Sequence, residues 1–438
     1  MSSPTRDMAF QTIRGTFDIL PDEHGSSGST VPASSSWRWV EGVVRGVMER
    51  FAFEEIRTPV LEPVELVARG VGAGTDIVSK EMFTVERSKE TYVLRPEVTA
   101  PVMRAFLQHH LEQRGGAQRL YYIGPCFRAE RPQKGRFRQF HQFGTELIGS
   151  DDPRADAETI ANVRAIYTAF GVTRTTLRIN TLGDAADRPA YRDALRDYFS
   201  SHLDALSETS RTRLEVNPLR ILDTKNERER ELLGDAPRVT DFISPEAREH
   251  HARLLSLLDA LEVPYVEDPL LVRGLDYYSR TVFELEHDAL GAQGALAAGG
   301  RYDGLAESVG SKKTVPAVGY AAGIERLFIA LEAENVDPPL VSSTDVFVVT
   351  LGDAAESAGF GITQTLRTAG LSVDFALGGR SLKAQMKAAD RSGARVALVV
   401  GDDELEAGVA QVRDLEFGEQ RAVPIAQLAL ELAGEGAA

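Results

Sequence analysis

The chain has 438 residues, 43% hydrophobic and 26% charged, the balance of a globular protein with room for roughly two or three domains. With 65 acidic against 49 basic residues its formal charge is −16, so general polyanion binding is excluded and any nucleic-acid contact must come from local basic patches. The single cysteine, Cys126, excludes an intrachain disulfide and a cysteine-cluster zinc site; no apolar signal core or stretch of membrane-span length is found, and the expectation is a cytoplasmic protein.

Arg14 to Pro21 reads as a structured turn and the Gly/Ser-rich Glu23 to Ser36 as a mobile loop. Apolar spacing through Trp39, Val43, Val47 and Phe51 predicts a helix over 37–51. Phe53 to Pro63 reads as a strand interrupted by Pro59, a residue that belongs at a strand edge or an interface; a subunit contact and a plain strand end fit it equally. Tyr92 to Ala100 predicts a strand ending in a turn, then a helix through Val102, Ala105 and Phe106. Glu97 and Thr99 sit at that turn, placed to reach a ligand or, in the case of Thr99, to cap the helix.

Tyr121 to Arg128 reads as a strand running into the loop Arg131-Pro132-Gln133-Lys134-Gly135-Arg136. Beyond it, Phe137, Gln139, His141, Phe143 and Thr145 fall on one face, and Arg138, Phe140, Gln142, Gly144 and Glu146 on the other. The pattern is two antiparallel strands with a basic tip, holding Arg128, Arg131, Lys134, Arg136 and Arg138 in an acidic protein. Arg128, Gln142 and Glu146 project from one face, and a cationic fork, an amide and a carboxylate suit a zwitterionic ligand beside a phosphate. A hairpin with a solvated charged tip is the plain alternative; polar residues alternating into the sheet weigh against it.

Asp152-Pro153 starts a helix with Pro at its first position, apolar at Ile160, Val163, Tyr167 and Phe170 and ended by Gly171. Leu177 to Asn180 is a short strand. From about 188 to 261 the pattern is helical and charged, an inserted module with solvated faces and no catalytic constellation. Leu270 to Glu284 has strand character; alternation puts Tyr277 and Tyr278 on opposite faces, so only one meets a ligand, and glycine beside Arg273 permits close approach. Ala297 to Gly304 is glycine-rich but lacks the Lys-Ser/Thr of a phosphate loop. Ala317 to Leu327 is a small-residue strand turning into a helix at Gly323. It places Arg326 in a first helical turn, where a cation opposes the macrodipole unless an anion is bound; a surface salt bridge is the plain alternative. After a linker near 334–339, strands at 346–350, 371–375 and 396–400 alternate with helices at 357–368 and 381–391, predicting a small α/β domain with a parallel sheet.

Pro59 in its setting resembles motif 1 of the class II aminoacyl-tRNA synthetases, Phe127 to Glu146 motif 2, and Gly323-Ile324-Glu325-Arg326-Leu327 motif 3. Leu271-Val272-Arg273-Gly274-Leu275-Asp276-Tyr277-Tyr278 and Gly299-Gly300-Arg301-Tyr302-Asp303-Gly304-Leu305 resemble the histidyl-tRNA synthetases specifically, and Arg14 to Asp18 and Leu94 to Glu97 agree. The resemblance covers nearly the whole chain. It implies a class II α+β catalytic domain over 1–335, built on an antiparallel sheet with a helical insertion at about 188–261. A linker at 336–343 and an α/β anticodon-binding domain at 344–438 follow.

The resemblance also implies the chemistry. L-histidine and ATP give histidyl-adenylate and pyrophosphate, magnesium shares the phosphate charge, and the histidyl group passes to the 3′ end of tRNA(His). The enzyme is a homodimer and the protein supplies no metal ligand set. Arg128 would hold the α-phosphate, Glu130 the adenine, and Arg136 and Arg326 the distal phosphates. Glu97, Thr99 and Gln142 would bind the histidine amino group. Glu146 and Tyr278 would address the imidazole, with Tyr277 and Tyr302 lining the pocket. Arg273 would be the catalytic cation near the α-phosphate, and Gln133 would touch the tRNA acceptor end. An apolar competitor would leave a buried Glu146 unpaired, so no editing domain is expected. Two rivals share the fold: a non-catalytic paralogue serving as regulatory subunit of ATP phosphoribosyltransferase, and a tRNA sensor without turnover. The first predicts degraded motifs and no anticodon domain.

Overall fold

The computed structural model describes residues 10–21, 31–72, 75–273, 275, 277–339 and 344–434. Most of the 23–36 loop, residues 340–343 of the linker, and Gly274 and Asp276 lie outside the described residues. The chain divides into two compact units, residues 1–18 with 37–337 and residues 19–36 with 338–438.

In the larger unit, α1 (Ser34–Arg50) precedes the short strands β1 (Glu54–Glu55) and β2 (Leu61–Pro63) and the helix α2 (Val64–Val71). The hairpin β3 (Phe83–Arg87) and β4 (Glu90–Leu94) leads to α3 (Thr99–Gln108) and then to β5 (Gln118–Phe127) and β6 (Gln139–Ile148). Next come α4 (Pro153–Ala169) and β7 (Thr175–Thr181). The inserted helices are α5 (Arg188–Ser200), α6 (Glu208–Val216), α7 (Glu227–Leu232) and α8 (Pro245–Ala260). The unit closes with β8 (Val266–Glu267), β9 (Ser279–His287), β10 (Ala295–Arg301), α9 (Leu305–Ser308), β11 (Ala317–Gly323) and α10 (Ile324–Ala333).

Eight strands form one sheet in the order β1-β5-β6-β11-β10-β9-β7-β8. Its inner pairings are antiparallel, and only the two-residue edge strands β1 and β8 pair parallel. The β5–β6 ladder runs from Gln118 opposite Ile148 to Phe127 opposite Gln139, so the basic loop closes it at the Phe127–Gln139 end. β2, β4 and β3 make a separate three-stranded sheet. The stretch 53–63 is therefore two short strands in different sheets, with Pro59 between them.

On α1 the buried face is Trp37, Val40, Val44, Val47 and Met48, rotated from the expected stripe. The helix carries apolar residues around more than half its circumference, so periodicity alone could not choose between stripes. Trp39, on the other stripe, is half-buried with its ring 5.1 Å from that of Phe170. On α4 the expected Ile160, Val163, Tyr167 and Phe170 are all buried, the Asp152 side chain caps by accepting from Arg154 N, and Gly171 adopts φ 76°. The inserted helices have their own core around Tyr191, Leu195, Phe199 and Ile221, against which Leu270 and Val272 pack.

The second unit contains β12 (Val346–Leu351), α11 (Asp353–Thr368), β13 (Val373–Phe375), α12 (Leu382–Ser392), β14 (Val396–Gly401), α13 (Asp402–Glu406), β15 (Val409–Asp414), β16 (Gln420–Pro424) and α14 (Leu428–Gly434). β13, β12 and β14 pair parallel, as the alternation predicts, and β15 and β16 extend the sheet antiparallel. No helix among the described residues is long and apolar enough to cross a membrane.

Candidate active site

A cleft of about 400 Å³ opens over the centre of the large sheet, lined from β6, β9, β10 and β11, the basic loop, the 97–99 turn and the 273–278 segment. Its two ends differ in charge.

One end is cationic. Arg128 donates from Nε to Pro96 O at 3.0 Å, and its guanidinium lies 5.4 Å from the Phe140 ring centre. Arg136 pairs with Glu130 at 2.7 Å, and Arg128 stands 4.0 Å from the same carboxylate. Arg326 donates to Ala295 O at 2.6 Å and has no carboxylate within ion-pair distance among the described residues. Burial, and then the charges of Arg136 and Arg128, lower its pKa. Glu130 thus faces three guanidinium groups, with Glu81 also within electrostatic reach of Arg128 and Arg136, an arrangement that still favours a bound anion. The surface salt bridge expected as the plain alternative for Arg326 is not formed among the described residues.

The other end is buried and polar. Glu146 is 1% exposed; its Oε2 accepts from the Tyr302 hydroxyl, and its Oε1 has no hydrogen-bond partner among the described residues. β11 approaches it through Gly319, its partner across the ladder, where any Cβ would overlap the carboxylate. Burial pushes the Glu146 carboxyl up to about 8. Its charged form is disfavoured by folding, so its contribution to stability is full below the ordinary carboxylate range near 4.5 and is lost as pH rises towards 8. The expected result is that wild type loses stability relative to Glu146→Gln between pH 5 and 8, as urea titrations of both proteins would read; parallel pH curves would contradict it.

Glu97, 3% exposed, accepts from Thr99 N at 2.8 Å and Ala100 N at 3.0 Å. Glu97, not Thr99, therefore caps α3, because Thr99 is already its first helical residue. Burial raises the Glu97 carboxyl and the two amide bonds partly offset this, so an ammonium group beside it would complete its charge balance. Gln142 accepts from the Cys126 thiol at 3.3 Å, which fixes the amide towards the cleft.

Tyr277 and Tyr278 both line the cleft, with ring centres 4.7 Å apart, and Tyr302 lies 5.6 Å from Tyr277. The expectation that strand alternation sends them to opposite faces does not hold, since both reach the cleft. β9 begins at Ser279, so the two tyrosines precede the strand and its alternation does not apply to them. Arg273 pairs with Glu284 and its guanidinium is 5.9 Å from the Tyr278 ring centre.

The cleft gathers Glu97, Thr99, Arg128, Glu130, Arg136, Gln142, Arg273, Tyr277, Tyr278, Tyr302 and Arg326, and Glu146 lies beneath it against Tyr302. Gln133 does not line the cleft but an adjoining hollow with Glu81, Arg131 and Pro132, which shares Glu130 and Arg136 with the cleft. Sequence reasoning missed Glu284 and Glu286, alternate residues of β9 that both face the cleft and were legible from strand period. It also missed Glu325, whose carboxylate accepts from His141 N at 2.9 Å and ties α10 to β6. Asp223 and Lys225, from a loop of the inserted module, line the cleft as well; no periodic signal marks them.

Residues 31–327 match the family model described as histidyl-tRNA synthetase, and residues 345–435 the one described as anticodon binding domain. The histidine–tRNA ligase of Geobacillus kaustophilus is 46% identical over 96% of this chain and 97% of its own length. That of Chloroherpeton thalassium is 47% identical over 94% and 95%. The crystal structure of apo S. aureus histidyl-tRNA synthetase is similar at a TM-score of 0.81 and 35% identity, covering 97% of this chain and all of that one.

Proposed function

The chain belongs to the histidyl-tRNA synthetase family, and from that membership we propose how its cleft carries out histidine–tRNA ligation. In the first step the histidine carboxylate attacks the α-phosphorus of ATP, a P–O bond breaks and pyrophosphate leaves. In the second the terminal hydroxyl of tRNA(His) attacks the adenylate carbonyl and AMP leaves.

The reacting groups need positioning and fixed positive charge rather than a general base. Arg128 and Arg273 take the α-phosphate, Arg136 and Arg326 the distal phosphates, and Glu130 the adenine. Glu97, Thr99 and Gln142 hold the amino group; Glu146 and Tyr278 address the imidazole, walled by Tyr277 and Tyr302. Glu284 and Glu286, which line the cleft and pair with Arg273 and Arg178, would be the carboxylates to hold a magnesium ion bound with ATP, which would offset phosphate charge. Gln133 contacts the acceptor end and the 344–438 domain reads the anticodon. Two copies pair through the segment around Pro59, and the enzyme works in the cytoplasm.

The observation that carries this reading is the buried, half-satisfied Glu146 at one end of a cleft whose other end gathers three guanidinium groups around Glu130. The regulatory reading predicts degraded motifs and no anticodon domain, and no observation favours it or the sensor reading. Incubation with ATP, labelled histidine and tRNA(His) is expected to yield histidyl-tRNA; adenylate formation without transfer would restrict the proposal to its first step.

A further inference from the structure

Arg95 has no part in the roles above, yet its side chain is 5% exposed and meets no carboxylate within ion-pair distance among the described residues. It donates from Nε to Pro125 O at 2.9 Å. From Nη1 it donates to Thr58 O and Thr58 Oγ1, both at 2.9 Å, and to Pro59 O at 3.5 Å. Its Nη2 occupies space that only glycine leaves open, because a Cβ at Gly124 would stand 2.6 Å from it. A buried guanidinium partnered only by neutral oxygens gains little from charge pairing; its fork supplies fixed geometry.

The backbone around it continues the connection. Arg95 N donates to Val60 O at 2.9 Å, and Phe127 N donates to Arg95 O at 3.0 Å. The next residue, Pro96, offers the carbonyl that holds Arg128 Nε at 3.0 Å, and the one after is Glu97, the cap of α3. One side chain therefore fastens the 58–60 segment to the end of β5, and its own backbone carries two contacts of the cleft. We propose that Arg95 is a positioning residue for amino-acid activation. By fixing Thr58 and Pro59 against Pro125 it sets Glu97 and Arg128 where the amino group and the α-phosphate must lie. Packing at the Thr58–Pro59 segment is thereby coupled to the cleft. This inference rests on the ligase reading above.

The test is histidine-dependent pyrophosphate exchange by wild type, Arg95→Lys and Gly124→Ala, each normalised to active sites titrated by the burst of adenylate. Lysine keeps the charge but cannot reach Pro125 and Thr58 together. Gly124→Ala keeps the guanidinium and displaces it, and so tests the inference alone if Arg95→Lys fails to fold. Per active site, the histidine KM is expected to rise and kcat to fall, together lowering kcat/KM roughly 10- to 100-fold. Fewer active sites with wild-type KM and kcat would mean a merely structural role and overturn the inference. Wild type without histidine-dependent exchange would overturn the ligase reading and this inference with it.

Discussion

Arg273→Ala is expected to lower histidyl-adenylate formation by on the order of 100- to 1,000-fold while the protein stays folded, the cost of removing one preorganised charge from a developing phosphate charge. Arg273 is suited to that role by its setting. Its guanidinium is held by Glu284 and by the Tyr278 ring at the polar end of the cleft, and it reaches no other carboxylate among the described residues. Its removal leaves the Glu284 carboxylate only partly buried, so the fold loses little. Arg273→Lys should recover only part of the rate, since an ammonium cannot hold Glu284 and a phosphate with one planar fork. Stopped turnover of pyrophosphate exchange, read beside the circular dichroism of the same sample, separates the two effects. Near-normal exchange by Arg273→Ala would remove it from the chemistry.

The largest expected effect on stability is at Asp156. Arg301 and Asp156 are both fully buried and paired, with Arg301 also donating to Ser150 O at 2.9 Å and to Asp303 at 3.2 Å. His250, from the inserted helix α8, stands 3.4 Å from Asp156. Burial by itself would raise the Asp156 carboxyl, but Arg301 and His250 outweigh it and hold the group at about 2. That stabilisation is present above the ordinary range near 3.8 and is lost as pH falls towards 2. Asp156→Ala takes from the buried guanidinium its closest carboxylate and leaves only the more exposed Asp303, and the cost is about 3 kcal/mol. Because Tyr302 follows Arg301 in the chain and holds Glu146, the histidine KM should rise as well. Replacing both partners, as Asp156→Leu with Arg301→Met, should restore most of the urea midpoint; a double variant no more stable than Asp156→Ala would show that the loss is not an unpaired charge.

Much of the cleft was legible because two strands of period two were bounded by Pro and Gly. That pattern put Arg128, Gln142 and Glu146 on one face, and the sheet keeps them there. Gly323 followed by an apolar helical pattern placed Arg326 equally well. The tyrosines were misread for the same reason in reverse. Leu270 to Tyr278 has strand composition, but Leu270 and Val272 are drawn onto the core of the inserted helices, and the ladder starts only at Ser279. Local propensity could not see that tertiary claim. The same module delivers Asp223 and Lys225 to the cleft from a loop, where no periodicity exists to read. Arg95 shows a further limit: one arginine in a turn looks like any other until its four carbonyl and hydroxyl partners, 30 to 37 residues away in sequence, are brought to it.

The central claim is that one cleft recognises histidine at the Glu146–Tyr302 end and activates it at the cationic end. Pyrophosphate exchange with ATP and each of the twenty amino acids, without tRNA, tests both at once. Exchange with histidine alone is expected, reduced in Glu146→Gln through a higher histidine KM. Exchange driven by another amino acid, or none with any amino acid from a folded protein, would contradict it.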